Sequence, residues 1–480
     1  MPNLSSEKLE IARIIESKQE MCWKISDAIW SYAELGLEEY RSSKLLADTL
    51  EGAGFTVDRG VAGMPTAFVA TFSHGTGGPV IGFLAEYDAL PMLSQKAGHV
   101  KHNPVVPGAP GHGCGHNTMA AMQLLAVISL QQVMLKEGLN GTLKFFGSPA
   151  EEMLVSRPYM VRAGLFKDVE AVIDCHAWDE FSVAYGMEGA GLYSFVVHFK
   201  GQTAHSGSTP WKGRSATDAV ELMHAGTERM REHLPVTHRI HWITLEGGEA
   251  PNVVPDRAST WYFIRDLDEN LEGNYRWVMD CAKGAALMTQ TTWDVKFLTA
   301  IHQRFGNKAL AELIYENIKA IGKPKYTEQE EAFAKEMQEQ NGYPVKGLEY
   351  EMKLGSPESR PFRAGSSDVG DVTLIAPTAT IRYPAKVPGS PSHHWTVTSS
   401  ARTSFAHKGI TAGAKVAVFT AYDLMTRPEL LTKIRAEFET LKKERPYRSF
   451  LPEDASPPIG WNTELMEKYR NKMEPFYLEP

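Results

Sequence analysis

The residues best suited to chemistry lie in the segment Gly111–Asn117, which reads GHGCGHN. A cysteine and a histidine two residues apart cannot share one helix face, but a glycine-rich turn lets Cys114 and His116 point at one centre. Thiolate and imidazole are a natural ligand pair for zinc or a similar divalent ion. Asn117 stands where it could cap a following helix. The alternative interpretation is a tight turn with a buried thiol and a surface histidine.

Acidic residues and another histidine follow two further apolar runs of strand length. Glu151 and Glu152 come after the run Thr142–Phe146, and His176 comes directly after Val169–Cys175. Ligands of parallel sheets bind just beyond the carboxyl ends of the strands. There, one carboxylate could bind a metal ion while the other takes a proton from water. Alone, an acidic pair is usually a solvated edge, but three such sites at strand ends are much less expected by chance.

Two later segments also contain histidines. His205 lies in Gln202–Gly207, which reads QTAHSG and follows the first strand of a second pattern. His393 and His394 precede Trp395 in a loop rich in glycine, proline and serine. A histidine pair in such a loop commonly faces solvent. It gains weight here because the cluster above lacks a ligand from the C-terminal part of the chain.

The elements that must position these residues alternate between strand and helix in the first part of the chain. Strand-length apolar runs occur at Thr66–Phe72, Pro79–Leu84, Thr142–Phe146 and Val169–Cys175, and helical spacing occurs at Ser42–Leu50 and Thr118–Leu135. This alternation predicts an α/β fold with a mostly parallel sheet flanked by helices.

From about residue 188 the pattern becomes that of a small two-layer α+β unit. Tyr193–Lys200 alternates between apolar and polar residues, as an antiparallel strand with one solvated face does. The order β-α-β-β-α-β continues to about residue 300. We therefore predict a larger metal-binding domain made of residues 1–187 and 301–480. Residues 188–300 are predicted to form an inserted lid or dimerisation domain.

The remaining C-terminal part divides into helices and loops. Helical patterns cover Asn307–Ile321, Glu328–Glu339 and Ala401–Met425. Residues 343–363 are rich in glycine, proline and charge and are predicted to form a loop or lid. From Arg427 on, the pattern is polar and predicts no strong contribution to the core.

The composition argues against several classes of protein. The 480 residues include 50 basic and 58 acidic side chains, so the net charge of −8 does not suggest binding to nucleic acid or anionic membranes. Apolar runs such as Pro79–Leu84 fall far below the ~20 residues of a membrane span. Charges throughout Met1–Glu20 argue against a signal peptide. The four cysteines show no disulfide spacing, so a cytoplasmic protein is expected.

Together these segments resemble the amidohydrolase branch of the M20 metallopeptidases, and most closely the group of the B subunit of aminobenzoyl-glutamate hydrolase. The resemblance covers nearly the whole chain. It rests on Gly82–Leu90, Gly111–Asn117, Pro149–Glu152, His176, Gly201–Gly207, Pro251–Pro255, Ser366–Val372 and Ser392–Trp395, in this order.

The resemblance implies one or two divalent ions, zinc or manganese. The implied ligands are Cys114, His116, Glu152, His176 and His393. His393 is preferred to His394 because it stands two residues before Trp395, where related sequences keep their histidine. Asp88 is expected to orient a ligand rather than to bind the metal. Glu86 stands where other M20 branches have a metal-binding histidine.

The resemblance also implies the catalytic roles. Glu151 matches the general base, which takes a proton from the attacking water and returns it to the leaving amine. His205 matches a histidine that stabilises the oxyanion, typically from the other subunit of a homodimer. Asn252 and Arg265 match residues that hold the substrate. A second, different subunit is also compatible with the resemblance.

The implied reaction is cleavage of an N-acyl or N-aroyl amino acid, similar to aminobenzoyl-glutamate, into a carboxylic acid and a free amino acid. The alternatives are a dipeptidase or aminoacylase of the same family, a cysteine hydrolase that uses Cys114, and a non-catalytic binding subunit. Close relatives have small residues after Glu152, whereas this chain reads Met153–Arg157 (MLVSR). We expect this bulkier stretch to reshape the substrate pocket.

Overall fold

The computed structural model describes residues 4–359, 362 and 364–480. Residues 360, 361 and 363 of the predicted loop at 343–363 lie outside the described residues. The elements of the N-terminal part are α1 (Ser6–Tyr32), α2 (Tyr40–Gly52), β1 (Thr56–Arg59), β2 (Phe68–His74), β3 (Val80–Glu86), α3 (His116–Glu137), β4 (Gly141–Ser148), α4 (Ser156–Arg162), β5 (Ala171–Trp178), β6 (Ser182–Ala184) and β7 (Gly186–Glu188).

A second group of elements follows in the predicted order of strand, helix, strand, strand, helix and strand. These elements are β8 (Gly191–Lys200), α5 (Ala216–Met230), β9 (Arg239–Glu246), β10 (Arg257–Asp266), α6 (Asp268–Thr289) and β11 (Thr292–Ile301). They form an antiparallel sheet with the strand order β11-β8-β10-β9, which leaves β9 at one edge. The exact domain limits at residues 187 and 300 stay a prediction.

The C-terminal part completes the larger unit. Its elements are β12 (Arg304–Gly306), α7 (Lys308–Ile321), α8 (Glu328–Gln340), β13 (Lys353–Gly355), α9 (Val369–Thr373), β14 (Thr378–Pro384), α10 (Trp395–Ser400), α11 (Ser404–Thr426), α12 (Pro428–Glu444) and α13 (Thr463–Met473). The strand β14 was not predicted, although it lies inside the main sheet beside β5.

The main sheet has the order β1-β2-β4-β3-β5-β14-β6-β13. The pairs β4–β3, β3–β5, β5–β14 and β6–β13 are parallel, whereas β1–β2 and β2–β4 are antiparallel. Helices α1, α3 and α11 pack together and bury an apolar core. The predicted α/β class, with a mostly parallel sheet flanked by helices, is therefore confirmed.

Helix α3 is long and apolar enough to span a membrane, and it is the one such helix in the described part of the chain. Nearly all of its residues are buried against neighbouring elements, so it is a core helix. It places His116 at its first turn, directly beyond the sheet.

Three local predictions were wrong. His176 lies inside β5 rather than after it, because β5 continues to Trp178 in register with β14. Asn117 does not cap α3; its side-chain amide donates to Ser26 Oγ at 3.0 Å. The segment after Arg427 is not a tail without core contacts, because α12 contributes buried apolar residues: Leu431, Ile434 and Phe438.

Candidate metal centre

The turn before α3 brings the first two candidate ligands together. Gly115 occupies the N-cap position of α3 with φ +86°, a conformation that favours glycine. A Cβ there would also lie 2.9 Å from Cβ of Ala177, so the turn packs tightly against β5. The backbone N–H of His393 donates to the carbonyl oxygen of Gly113 at 3.1 Å. The same turn thus fixes Cys114 and anchors the distant His393 loop.

Two groups of potential ligand atoms share Cys114. The first consists of Cys114, His116 and His176, and the second consists of Cys114, Glu152 and His393. Within each group the ligand atoms lie within 4.8 Å of one another. Cys114 Sγ is 3.6 Å from His176 Nε2, and His393 Nε2 is 3.2 Å from Glu152 Oε2. The thiol therefore lies between two sets of donors, and the structure brings all five expected ligands together.

A third group contains Glu86, His116 and Glu151. His116 Nε2 lies 3.3 Å from Glu86 Oε2 and 3.8 Å from Glu151 Oε2. Glu86 was not among the expected ligands, although its carboxylate faces Nε2 of the expected ligand His116. The sequence signal was its position at the carboxyl end of β3.

The two adjacent glutamates, Glu151 and Glu152, lie in a turn that has a strained backbone on both sides. They begin a single 3-10 turn, Glu151–Met153, and the residues on either side of that turn, Ala150 and Leu154, have φ of 53° and 59°. This left-handed conformation is unfavourable for residues that have a Cβ, by about 1–2 kcal/mol each. Two buried carboxylates hold the turn in place. Glu39 accepts a hydrogen bond from the backbone N–H of Ala150 at 2.8 Å, and Asp88 accepts one from the backbone N–H of Glu152 at 2.9 Å.

Asp88 also sets the orientation of an expected ligand. Its Oδ1 lies 2.8 Å from Nδ1 of His116, so that Nε2 of the ring faces the cluster. Both side chains are almost wholly buried. Asp88 therefore makes the contact expected of a residue that orients a ligand and stays outside the three candidate ligand groups.

The electrostatics of the cluster fit a bound cation. Burial raises the pKa of Glu86 to about 7 and that of Glu152 to about 8, and it raises the pKa of Glu151 well above its usual range. Burial likewise raises the pKa of the Cys114 thiol to about 12. Burial therefore disfavours the anionic forms of these side chains, and a bound cation would favour them.

Unpartnered polar atoms support the same conclusion. His116 Nε2, Glu86 Oε2 and Glu152 Oε1 are buried and have no hydrogen-bond partner among the described residues. Buried polar atoms usually have partners, because desolvation without one is unfavourable. Thiolate, imidazole and carboxylate are also the donor types that zinc and similar ions take. The residues present therefore fit a divalent metal.

The bulky stretch after Glu152 packs into the core. Met153, Leu154 and Val155 are buried in core clusters, and the effect of this stretch on the substrate pocket stays a prediction. Arg157, also fully buried, reaches back so that its guanidinium lies 2.8 Å from Glu86 Oε1 and pairs with Asp368.

Arg265 approaches the cluster from β10 of the small sheet. Burial lowers the pKa of its guanidinium, and the facing carboxylate of Glu151 acts in the opposite direction. Its Nε is buried without a hydrogen-bond partner in the described part of the chain. Partial desolvation and the positive charges of His116, Arg265 and Lys386 lower the pKa of His393. Charge interactions thus couple Arg265 to both Glu151 and His393.

His205 and Asn252 are held together but away from the cluster. The backbone N–H of Ser206 donates to the carbonyl oxygen of Asn252 at 3.1 Å. The exposed His205 ring accepts from the backbone N–H groups of Gly207 and Ser208 through Nδ1, at 3.1 and 3.2 Å. Its proton is therefore on Nε2, which leaves a donor directed away from its own loop. No contact among the described residues joins either side chain to the cluster.

Lys386 is a further residue that the sequence interpretation missed. It is only 5% exposed, and its backbone N–H donates to the carbonyl oxygen of Trp178 at 3.2 Å. Burial lowers its pKa, whereas Asp179 and Cys114 act to raise it. The one available signal was its position between β14 and the His393 loop, which is weak for a lone lysine.

Comparison with known proteins decides the family. The sequence profile of Peptidase family M20/M25/M40 matches residues 82–446. The chain belongs to this family. The expected resemblance is thereby confirmed, and this M20 protein is a hydrolase that acts on amide bonds.

Similar proteins cover almost the whole length of this M20 protein. It is 36% identical to the B subunit of p-aminobenzoyl-glutamate hydrolase of Escherichia coli (strain K12), over 92% of this chain and 97% of that protein. It is 27% identical to the Xaa-Arg dipeptidase of Mus musculus, over 91% of this chain and 93% of that protein. The crystal structure of a putative aminohydrolase from methicillin-resistant Staphylococcus aureus has a TM-score of 0.62 at 18% identity. It covers 87% of this chain and 100% of its own, which confirms the fold.

Proposed function

We propose that this M20 protein is a metal-dependent amidohydrolase that cleaves an N-acyl or N-aroyl amino acid into a carboxylic acid and a free amino acid. The observation that carries the proposal is the pair of ligand groups that share Cys114 beside Glu151. A binding protein would have no use for a free carboxylate at this position. The relation to a hydrolase of p-aminobenzoyl-glutamate supports this substrate class.

We propose that the two groups supply the ligands of two ions. Cys114, His116 and His176 would hold one ion, and Cys114, Glu152 and His393 would hold the other. When bound, the metal polarises the amide carbonyl and lowers the pKa of water. We propose zinc or manganese, because thiolate favours zinc whereas the imidazoles and carboxylate also suit manganese.

Glu151 moves the proton in this proposal. Its carboxylate takes a proton from the attacking water, whose oxygen forms a bond to the amide carbonyl carbon. The same carboxyl then gives this proton to the amide nitrogen as the C–N bond breaks. Burial raises the pKa of Glu151, which suits a group that must hold a proton between these two steps.

The small sheet supplies substrate contacts. Arg265 has five N–H donors in a planar fork that matches a carboxylate, so we propose that it binds the α-carboxylate of the amino acid. His205 is proposed to stabilise the oxyanion through its Nε2–H, and Asn252 to contact the substrate. Because both lie away from the cluster of their own chain, we propose that they act in the site of a partner subunit.

We propose that this partner is a second copy of the chain. Strand β9 is an edge strand, and its side chains Ile243 and Leu245 are about half exposed. Unpaired backbone groups and apolar side chains at a sheet edge favour pairing with another chain. A second, different subunit stays a further possibility, because the E. coli relative is the B subunit of its hydrolase. We also propose a reducing, cytoplasmic compartment, in keeping with free cysteines throughout the described chain.

The competing cysteine-hydrolase hypothesis finds less support. A nucleophilic cysteine needs a lowered pKa, whereas burial raises the pKa of Cys114 to about 12. The thiol is also shared by two groups of ligand atoms, which suits a metal ligand.

The test is release of free amino acid from a panel of N-acyl amino acids, N-aroyl amino acids and dipeptides. Each substrate is assayed with zinc, with manganese and with a chelator. We expect chelator-sensitive release that is greatest for an N-acyl or N-aroyl amino acid. Chelator-resistant release would support the cysteine hydrolase, release from dipeptides alone would support the dipeptidase, and no release from the metal-loaded dimer would overturn the proposal.

A further inference from the structure

The loop after β14 places a lysine at the candidate centre. In the main sheet, Pro384 of β14 pairs with Trp178 of β5, two residues beyond His176. The backbone N–H groups of Ala385 and Lys386 both donate to the carbonyl oxygen of Trp178, at 2.8 and 3.2 Å. The chain therefore folds over the carboxyl end of β5, the edge at which ligands of such sheets bind.

The ammonium group of Lys386 has few partners there. Nζ lies 4.2 Å from the centroid of the Trp178 ring and 3.3 Å from Oγ of Ser392. An ammonium group has three donors, so two remain for another acceptor. Among the described residues no carboxylate oxygen lies within 4 Å of Nζ. The carboxylate of Asp179, which acts to raise the pKa of Lys386, accepts from the backbone N–H of Gly389 at 3.3 Å.

A buried cation without a close anion is unfavourable. Desolvation disfavours the charged form, and contact with an indole ring offsets it only in part. The Trp178 ring under the ammonium group lies 5.5 Å from the ring of the candidate ligand His176, and Ser392 directly precedes His393, so the ammonium group lies beside the candidate ligands. A negatively charged group of a bound molecule would supply the missing partner.

We propose that Lys386, Trp178 and Ser392 form a subsite for a second carboxylate of the substrate. The preferred substrates are then N-acylated acidic amino acids, with Arg265 on the α-carboxylate and Lys386 on the other carboxylate. This inference rests on the proposed amidohydrolase function. A carboxylate on the aroyl ring has the same chemistry as one on the amino-acid side chain. The test must therefore separate these two positions of the second carboxylate.

The experiment compares kcat/KM for three matched substrates. N-benzoyl-glutamate carries the second carboxylate on the amino acid, N-(4-carboxybenzoyl)-glutamine carries it on the ring, and N-benzoyl-glutamine has none. We expect the wild type to prefer one of the dicarboxylates to N-benzoyl-glutamine by about 10- to 100-fold. Lys386→Met should abolish most of that ratio, and Lys386→Arg should keep most of it because the charge remains.

Lys323→Met is the matched control. Lys323 also lies over an aromatic ring, 5.0 Å from the centroid of Tyr350, but it is exposed and not near the ligand groups. The control should keep the wild-type ratio. The proposal is overturned if neither dicarboxylate is preferred, or if Lys386→Met lowers kcat/KM for all three substrates by the same factor. An equal loss would place Lys386 on the α-carboxylate or in a structural role.

A binding measurement separates this proposal from the amidohydrolase proposal. Dissociation constants of the same three compounds are measured on the metal-loaded Glu151→Gln protein, with and without Lys386→Met. If the dicarboxylate binds more tightly and Lys386→Met removes the difference, the subsite holds even if no compound is hydrolysed by the wild type. Equal binding of all three compounds overturns the subsite while release of amino acid still supports the amidohydrolase.

Discussion

At the residue scale, adjacent glutamates have different surroundings. The carboxylate of Glu152 meets His393 at 3.2 Å, and its backbone N–H is held by Asp88. Glu151 Oε2 lies 3.8 Å from His116 Nε2, in the group that also contains Glu86. A turn with a left-handed residue on each side presents the two neighbouring carboxylates. We propose that this turn divides them into a metal ligand and a proton carrier.

Glu151→Gln tests this division directly. The amide keeps the shape of the side chain but cannot accept a proton, so we expect kcat to fall by about 10²- to 10⁴-fold. Metal content, measured by elemental analysis of the dialysed protein, should stay at the wild-type level. Glu349→Gln, at an exposed position, is the control and should change neither value. Turnover near that of the wild type would contradict the role of Glu151.

At the scale of elements, buried ion pairs connect parts of the larger unit. Arg157 in α4 pairs with Glu86 at the end of β3 and with Asp368 directly before α9. The backbone N–H of Arg157 also donates to Asp368 at 3.0 Å. The guanidinium thus holds Glu86 in place beside His116 and neutralises two carboxylates that burial would otherwise disfavour.

Arg157→Met should therefore destabilise the protein strongly. It leaves Glu86 and Asp368 without their cation, and breaking a buried pair in this way costs about 3–5 kcal/mol. The free energy of unfolding is measured by urea denaturation of chelator-treated protein, so that bound metal does not mask the loss. Arg162→Met in the same helix is the control; its side chain is exposed, and we expect a loss of about 1 kcal/mol or less. Equal losses for both variants would contradict the role of the buried pair.

The small sheet contains a buried carboxylate, Asp266, whose ionisation makes the stability of the protein depend on pH. Burial raises the pKa of Asp266, but hydrogen bonds from its neighbours, with His238 the largest contribution, outweigh this and hold the pKa at about 2. Those donors include Thr237 Oγ1 at 2.6 Å, the backbone N–H of Leu267 at 2.8 Å and Asn274 Nδ2 at 2.8 Å. Because the folded pKa lies below the unfolded value, the carboxylate stabilises the protein above pH ~4, and this contribution is lost as pH falls towards 2.

Asp266→Asn should remove about 2 kcal/mol from the free energy of unfolding at pH 7, since each pKa unit corresponds to about 1.4 kcal/mol. The difference from the wild type should narrow when urea unfolding is repeated at lower pH. Asp280→Asn, on the exposed side of α6, is the control and should show little effect. A difference that does not change with pH would mean that the charge of Asp266 is not what stabilises the fold.

At the scale of the whole molecule, the residues proposed to contact the substrate divide into two sets. Arg265 in β10 has Glu151 of its own chain among the charges that act on it, whereas His205 and Asn252 lie together in the loops after β8 and β9, close to the half-exposed Val253. A histidine with a fixed Nε2–H and no contact to its own cluster among the described residues suits a site completed by a second copy. In a symmetric dimer, each subunit would supply its His205 to the site of the other subunit.

Mixing two inactive variants tests this arrangement. Glu151→Gln and His205→Ala protomers are each inactive alone, but each mixed dimer should contain one site with both native residues. After subunit exchange at equal amounts, about a quarter of wild-type activity should return, because half of the dimers are mixed and each has one intact site. Exchange is verified separately with labelled subunits. Proven exchange without recovery of activity would show that His205 does not act across the dimer.

Some of the site could be predicted from local sequence because its determinants are local. The glycine-rich turn around Cys114, the glutamates after β4 and the alternation of strand and helix are each encoded within a few neighbouring residues. The missed features depend on contacts between distant segments. Strand β14 (TATIRYP) has no continuous apolar run, and its place beside β5 follows from the packing of the sheet rather than from its own pattern.

The sequence by itself determined the donor types, the order of the elements and the family, because residue chemistry and hydrophobic period are properties of short segments. Only the tertiary structure decided that Cys114 lies between two ligand groups, that Arg157 holds Glu86, and that Lys386 lies over Trp178. The last of these pairs joins residues more than 200 positions apart, which meet because β5 and β14 are neighbours in one sheet. Such neighbours are set by the packing of the whole core, and no spacing along the chain encodes them.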